Sequence, residues 1–303
     1  VRILLVRSHS TGGIGVHVSS LAAGLRDTGH QAAVVEATGW TAVRSIRRAA
    51  ETADVVHAHG LRAGAAACLS AGLNKRISRR IVVTLHNAAP PRGEFLERII
   101  AGRADVVLGA SQDLVDRARR LGAKDARFAP VVATLGPPTR TREETRSDLG
   151  LTDGVKLVLA VGRLAPQKDY ATLLDAARRI DRRRMLIAVA GGGPLRAELQ
   201  ARIDDEVLPV RLLGHRTDIP DLLAAADVFV MCSTWEARPL ALQEAMRAGV
   251  SCVATRVGGI PALVGGAAVL VPPGDPERLV DAISRSGSRP DPRSDSDSGL
   301  PVP

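Results

Sequence analysis

Aromatic residues are nearly absent from this chain: two Trp, one Tyr and three Phe make up 2% of 303 residues. Carbohydrate-binding modules and single-strand nucleic-acid binders that stack rings on aromatic platforms are disfavoured, and no nucleic-acid partner is expected. Cysteine is scarce too. Cys68, Cys232 and Cys252 are widely spaced with no CxxC pair, which points away from a disulfide framework or a zinc site and towards a reducing compartment. No apolar run reaches the ~18 residues of a membrane-spanning helix. Val1–Val6 leads straight into a glycine turn, without the length or cleavage site of a signal peptide. The expected location is cytoplasmic, with peripheral attachment at the inner face of a membrane as an option. Lysine is rare as well, four of 41 cations.

The cations are unevenly placed. Residues 1–140 hold 20 Lys+Arg against 10 Asp+Glu, and residues 141–303 hold 21 against 22, so the whole surplus lies in the first half. Two readings stay open, an arginine-rich soluble surface or an anionic partner such as a membrane. Residues 41–53 sharpen the choice. Val43, Ile46, Ala50 and Ala53 form one helix face and Arg44, Arg47 and Arg48 the other, but the apolar side lacks the large residues that membrane insertion needs.

What is present in quantity is alternation of short apolar strands with helical segments, the pattern of a parallel doubly wound sheet. It runs from Val1–Val6 through Gln31–Ala37, Asp54–Gly60, Ile81–Asn87 and Asp105–Ala110 to a strand expected over Arg127–Thr134. After the first strand, Ser10-Thr11-Gly12-Gly13-Ile14-Gly15 opens a helix. It is not GxGxxG, so a dinucleotide site is discounted, while backbone N–H groups at a phosphate stay open beside a plain tight turn. Val16, Ser20, Leu21, Ala23 and Leu25 are expected to form that helix's buried stripe. Gly136-Pro137-Pro138-Thr139-Arg140 reads as a linker, after which the pattern restarts at Val155–Val161. The expected domains are 1–138 and 139–284. A Ser/Arg/Pro/Asp/Gly tail, 285–303, reads as disordered, and its Asp295-Ser296-Asp297 as a chance metal motif.

Ala226 to Gly249 is the most informative stretch. Val228–Met231 reads as a buried strand, Cys232–Glu236 as a turn, and a helix follows with Pro239 first and Gly249 at its C-terminal cap. Glu236 falls in the turn and Glu244 in the helix. In open α/β sheets ligands gather at the carboxyl ends of strands, where helix N-termini favour anions. Carboxylates there suit sugar hydroxyls better than phosphates. Arg163 and Lys168, at the tip of another strand, suit a diphosphate. His57 and His59 share one side of their strand, but a metal reading finds no third ligand nearby, so no metal is expected.

Several motifs occur in one order: Gly12-Gly13 with His17; Leu85-His86-Asn87; Val161-Gly162-Arg163-Leu164 with Pro166-Gln167-Lys168-Asp169; Ala190-Gly191-Gly192-Gly193-Pro194; Leu213-Gly214-His215 with Asp218; Glu236 with Glu244 as E-x7-E; and Val257-Gly258-Gly259-Ile260-Pro261. In this the chain resembles retaining glycosyltransferases of family 4, over residues 1 to about 283. The resemblance implies a GT-B fold, two Rossmann-like doubly wound domains facing a cleft. It also implies metal-independent transfer of a hexose from a nucleotide-diphosphate sugar, with no cofactor, to a sugar or lipid-linked acceptor. By resemblance Arg163 and Lys168 stabilise the leaving diphosphate, Glu244 holds the ribose and Glu236 the donor sugar with Pro239 and Leu240. Gly12, Gly13 and Gly192 bring backbone to the donor, His215 and Arg216 lie at the base, and His86 stands over the reacting carbon. Ala237 replaces the usual glycine after Glu236, and Arg238 a usual apolar residue. The usual final crossing helix is not evident, which suggests a shortened or altered gene product. The rival readings are a sugar-nucleotide epimerase of the same fold and a binding protein that has lost turnover.

Overall fold

The structure, a computed structural model, describes residues 1–8, 13–37, 42–72, 80–87 and 93–287. Gly12, the expected Pro90-Pro91 turn and Asp295-Ser296-Asp297 lie outside the described residues, as does all of the expected tail beyond 287. The chain divides into two compact units. The first holds Val1–Ala133 with Glu236–Leu240 and Gly258–Leu263, and the second holds Thr134–Trp235, Ala241–Val257 and the chain from Val264.

In the first unit the strands are β1 (Arg2–Arg7), β2 (Gln31–Glu36), β3 (Val55–His59), β4 (Ile81–Leu85), β5 (Val106–Gly109) and β6 (Ala126–Phe128). Helices α1 (Gly13–Asp27), α2 (Ala42–Ala50), α3 (Leu61–Gly72), α4 (Glu94–Arg103) and α5 (Gln112–Arg120) connect them. The sheet order is β2-β1-β3-β4-β5-β6, parallel throughout. Leu4, Leu5 and Val6 are buried, as continuous apolar runs must be in a sheet covered on both faces. Strand order reverses between β1 and β3, which makes their carboxyl ends the switch point of this sheet.

Two local expectations for this unit are corrected. The strand expected over Arg127–Thr134 is only Ala126–Phe128, because its neighbour β5 ends at Gly109, opposite Phe128, and turns into α5. The buried stripe of α1 is Val18 and Ala22, backed by the partly buried Leu21 and Leu25. Val16, Ser20 and Ala23 are exposed. On α2, Ile46 and Ala50 are buried and Arg44, Arg47 and Arg48 are exposed, as the helical spacing requires.

The second unit contains α6 (Arg142–Asp148), β7 (Lys156–Val161), α7 (Tyr170–Ala177), β8 (Met185–Ala190), α8 (Arg196–Asp205), β9 (Val210–Gly214), α9 (Ile219–Ala225) and β10 (Val228–Met231). Then come α10 (Leu240–Arg247), whose first residue belongs to the first unit, β11 (Ser251–Thr255), α11 (Ile260–Val264), which belongs to the first unit as far as Leu263, β12 (Ala268–Val271) and α12 (Pro276–Arg285). This sheet is also parallel, with order β12-β11-β10-β7-β8-β9. Its switch point therefore lies between β7 and β10, the two strands whose tips carry the cationic loop and the first glutamate's turn.

Polar fastening holds this unit's frame. Thr141 and Glu144 form a capping box at the start of α6. Asp227 accepts from the Leu157 N–H at 2.7 Å and from Arg146 at 3.1 Å, and pairs with Arg142, so one carboxylate locks α6 to the amino ends of β7 and β10. Asp221 accepts from the Thr139 N–H at 2.6 Å and the Arg140 N–H at 3.1 Å. At the other end Asp275 caps α12, and Leu279 and Ile283 of that helix sit in the unit's own core. The Lys156 ammonium donates to the carbonyls of Ser284 at 3.1 Å and Ser286 at 2.7 Å, satisfying acceptors that a helix C-terminus leaves open. Among the described residues no helix is long and apolar enough to cross a membrane.

Candidate donor-binding site

The loops after β7 and β8 are joined backbone to backbone. Gly162 N donates to the Ala190 carbonyl at 3.0 Å, Leu164 N to Gly192 at 2.9 Å and Leu195 N to Leu164 at 3.1 Å. A Cβ on Gly191 would lie 1.9 Å from the Gly162 oxygen, and one on Gly193 would lie 2.3 Å from the Leu164 oxygen, whereas one on Gly192 would meet nothing within 4 Å. The outer two glycines thus serve the fold, and the middle one presents bare backbone outward. Leu164 is buried and anchors the loop, while its neighbour Arg163 is exposed and makes no ion pair among the described residues. Lys168 closes a short 3₁₀ turn, Pro166–Lys168. Asp169 follows in the left-handed region at φ 48°, and its side chain caps α7 through the Thr172 N–H. The Asp-x-x-Thr spacing was the available signal for that cap.

The loop after β10 is fastened to both neighbours. Thr234 N donates to the Gln167 carbonyl at 2.9 Å, and the Gln167 amide donates to the Trp235 carbonyl at 2.7 Å. The β7 tip carrying Lys168 is therefore bound to the chain one residue short of Glu236. On the other side the buried Thr255 hydroxyl donates to the Ser233 carbonyl at 2.6 Å, and Gly259 N donates to the Glu236 carbonyl at 2.8 Å. A Cβ on Gly259 would lie 1.9 Å from the Ala237 oxygen, so the Gly258-Gly259 pair allows the two turns to touch. The Thr255 and Gly259 fastenings join loops distant in sequence, and only the glycine pair hinted at them.

Glu236 is 6% exposed. Ala237 stands where a glycine is usual, yet it is buried without a positive φ, so this backbone does not require glycine. Arg238 donates from Nε to the Val131 carbonyl at 3.2 Å, which gives the unusual cation a structural task. The helix expected to begin at Pro239 begins one residue later, so Pro239 immediately precedes α10. Leu240 is its first residue, and Gly249 has φ 68° beyond its end. Glu244, in the second turn of α10, is half-buried, and its carboxylate accepts no hydrogen bond among the described residues. Burial raises its pKa and the nearby Arg247 partly offsets that. An acceptor-only group left in this state is suited to ligand hydroxyls.

At the tip of β9 His215 is exposed. Arg216 is paired with Asp218, donating from Nε at 2.7 Å and also from Nη2. That fork is occupied by its own loop, which leaves His215 and the backbone as the groups free for a base.

In the first unit Gly13 begins α1, and a Cβ there would lie 3.3 Å from the Leu240 Cδ1. His86 directly follows β4 and is buried. Sheet order and register bring further rings to it. His59 pairs in register with Thr84, its Nδ1 lies 3.2 Å from the His86 Nε2, and the His17 ring stands 5.5 Å from His59 and 5.3 Å from His86. The expectation that His59 has no third candidate ligand nearby is corrected: the fold supplies His17 and His86. The His57 Nε2 is 2.7 Å from the Thr84 hydroxyl. Burial lowers the His57 pKa to about 4 and the His86 pKa to about 3, and depresses His59 further still. All three are neutral at physiological pH.

A family model described as glycosyl transferases group 1 matches residues 155–287, and one described as a glycosyl transferase 4-like domain matches residues 35–132. TuaC of Bacillus subtilis (strain 168), named as a teichuronic acid biosynthesis glycosyltransferase, is 30% identical over 245 residues, 77% of this chain and 61% of TuaC. Residues 155–287 belong to the group 1 glycosyltransferases and residues 35–132 to the glycosyl transferase 4-like domains. An Escherichia coli relative of this glycosyltransferase, named UDP-Gal:alpha-D-GlcNAc-diphosphoundecaprenol alpha-1,3-galactosyltransferase, is 37% identical over 123 residues, 38% of this chain and 32% of that one. The chain thus spans under two thirds of the length of these relatives. Among solved structures, Anabaena HepE in complex with UDP and glucose superposes with a TM-score of 0.80 at 21% identity, over 93% of this chain and 89% of HepE. The glycosyltransferase shares the two six-stranded parallel sheets of such GT-B structures.

Proposed function

We propose that this glycosyltransferase moves a hexose from a nucleoside diphosphate sugar, with retention of configuration and without a metal ion at the diphosphate. The carrying observation is the half-buried Glu244 carboxylate, which accepts no hydrogen bond among the described residues, in the helix that follows the β10 loop, whose turn Gln167 binds to the Lys168 loop. Carboxylate and cation then divide the donor between them. Arg163 and Lys168 take the diphosphate, with charge-assisted hydrogen bonds that strengthen as the leaving group gathers negative charge. Glu244 takes the ribose hydroxyls and Glu236 the hydroxyls of the donor sugar, and the bare Gly192 backbone admits close approach. His215 lies at the base, Gly13 offers a helix N-terminal N–H to phosphate, and His86 stands at the reacting carbon. No side chain is assigned as a base: on the same-face path the departing phosphate oxygen takes the acceptor proton as the new bond forms.

UDP is the first nucleotide to test, because HepE binds it and the galactosyltransferase relative is named for it. The relatives carry the names of transferases, which favours transfer over epimerisation or bare binding. The acceptor is anionic or lipid-linked, in keeping with the exposed Arg44, Arg47 and Arg48 face of α2 and with the lipid-linked substrate in that relative's name. Those arginines support a peripheral position on the cytoplasmic face of a membrane. Thermal shift against UDP-, GDP-, ADP- and dTDP-sugars tests the donor, since a ligand that binds the folded state raises its apparent stability. Anomeric analysis of the product tests retention. A chain stabilised by none of these donors, or an inverted product, overturns the reading. Binding to anionic vesicles that weakens with salt tests the membrane assignment, and equal binding to neutral vesicles refutes it.

A further inference from the structure

We propose that His17, His59 and His86 form a binding site for one first-row divalent transition metal ion of the zinc type, at the switch point of the first unit's sheet. The three rings come from three separate segments: the first turns of α1, the last residue of β3 and the residue after β4. Their centroids are 5.5, 5.3 and 5.5 Å apart. An ion held at ~2.0–2.1 Å by three tetrahedrally disposed imidazoles sets ring centroids about 5.2 Å apart, so the rings stand almost where such an ion needs them. One candidate ligand nitrogen from each residue lies within 4.8 Å of the other two.

A second observation is independent of these spacings. His59 is 1% exposed, and its Nε2 has no hydrogen-bond partner among the described residues. A buried polar nitrogen left unpaired calls for a ligand or a proton partner. The nearest cation in the sheet, Arg7, pairs in register with His59 but is held by Glu36 at 2.8 Å. Three imidazoles without a thiolate or carboxylate favour zinc, nickel, cobalt or copper over magnesium or calcium. The bound ion would pin α1 to the tips of β3 and β4 and withdraw His86 from any other task.

The full chain, prepared without a polyhistidine tag and stripped by dialysis against chelator, is titrated with Zn²⁺ against a chromogenic competitor and with Co²⁺ by visible absorption. One ion per chain, the intense absorption of a low-coordinate cobalt site and a zinc-dependent rise in melting temperature are expected. His17→Gln and His59→Gln should each weaken zinc binding by more than the roughly 10–100-fold that loss of an outer-shell partner costs, and His30→Gln should leave it unchanged. Substoichiometric binding, or affinity unchanged in His17→Gln, overturns the proposal and leaves the rings as a packed hydrogen-bonded cluster. Should His59→Gln not fold, His17→Gln decides, because that side chain is only half-buried on its helix. The two readings share only His86, and nucleotide binding through Arg163, Lys168 and Glu244 does not require the ion, so a chain that binds nucleotide sugar but no metal refutes this proposal alone.

Discussion

Three consecutive glycines at the tip of β8 should respond to the same substitution in opposite ways. In Gly193→Ala the new Cβ would lie 2.3 Å from the Leu164 oxygen and 2.7 Å from its carbon and nitrogen. Ordinary contact begins near 3.4 Å, so the two loops must separate by about 1 Å, and all three opposing atoms are backbone that cannot rotate away. The bonds at risk are Leu164 N to Gly192 O at 2.9 Å and Leu195 N to Leu164 O at 3.1 Å. Leaving two such groups unpaired costs about 1–3 kcal/mol each, roughly 2–6 kcal/mol together, a large part of the ~5–15 kcal/mol that holds a domain folded. Gly191→Ala should cost at least as much, since it adds a φ of +150° to a 1.9 Å overlap. Gly192→Ala meets nothing within 4 Å and needs no unusual φ, so its stability should stay within about 0.5 kcal/mol. Its methyl group, however, intrudes where the donor is proposed to approach, and nucleotide affinity should fall. Urea unfolding reports the first effect, and calorimetric titration with UDP the second. The reasoning fails if Gly193→Ala unfolds like the parent, or if Gly192→Ala is as destabilising as its neighbours.

Further outcomes follow from single side chains. Glu244→Gln should weaken nucleotide binding by about 10-fold or more, the worth of a charge-assisted hydrogen bond at ~1.5–3 kcal/mol. Its folded pKa lies above the unfolded value, so the ionised carboxylate favours unfolding once pH rises through the folded pKa. Glu244→Gln should therefore be slightly more stable than the parent at neutral pH, with the advantage vanishing below pH 4, as urea midpoints at several pH values will show. Glu236→Gln should lower kcat for transfer far more than it raises the KM for donor, and a pure KM effect would reassign it to binding. Asp227→Ala leaves the Leu157 N–H without its acceptor and two guanidinium groups without their counter-charge, held by backbone carbonyls alone. It should cost about 3–5 kcal/mol by chemical denaturation, and a loss under 1 kcal/mol would mean that water replaces the carboxylate.

Much of the second unit was legible because its signals are local. Met185–Ala190 and Ser251–Thr255 form strands at the expected residues, since each is a short apolar run closed by turn residues. The proposed donor residues lie in loops named by glycine and proline. The failures have physical causes. β6 stops where its neighbour β5 ends at Gly109, although apolar character alone had extended it. On α1, apolar residues occur on more than one face, so composition could not say that Val18 rather than Val16 meets the sheet. The histidine cluster was not legible from spacing, because His17, His59 and His86 meet only through the β1-β3-β4 order and its register.

The grip of Lys156 on the end of α12 has a practical consequence. Lys156 opens β7, and that strand's far end, Val161, leads into the Arg163–Lys168 loop. Five steps of strand at ~3.3 Å put about 17 Å between them. A fluorophore, affinity handle or surface tether attached just beyond Ser286 would thus be anchored at the end of the sheet opposite the loops proposed for the donor. Immobilised binding measurements on this protein are best made from that end, where the attachment neither blocks those loops nor hangs from a fraying helix.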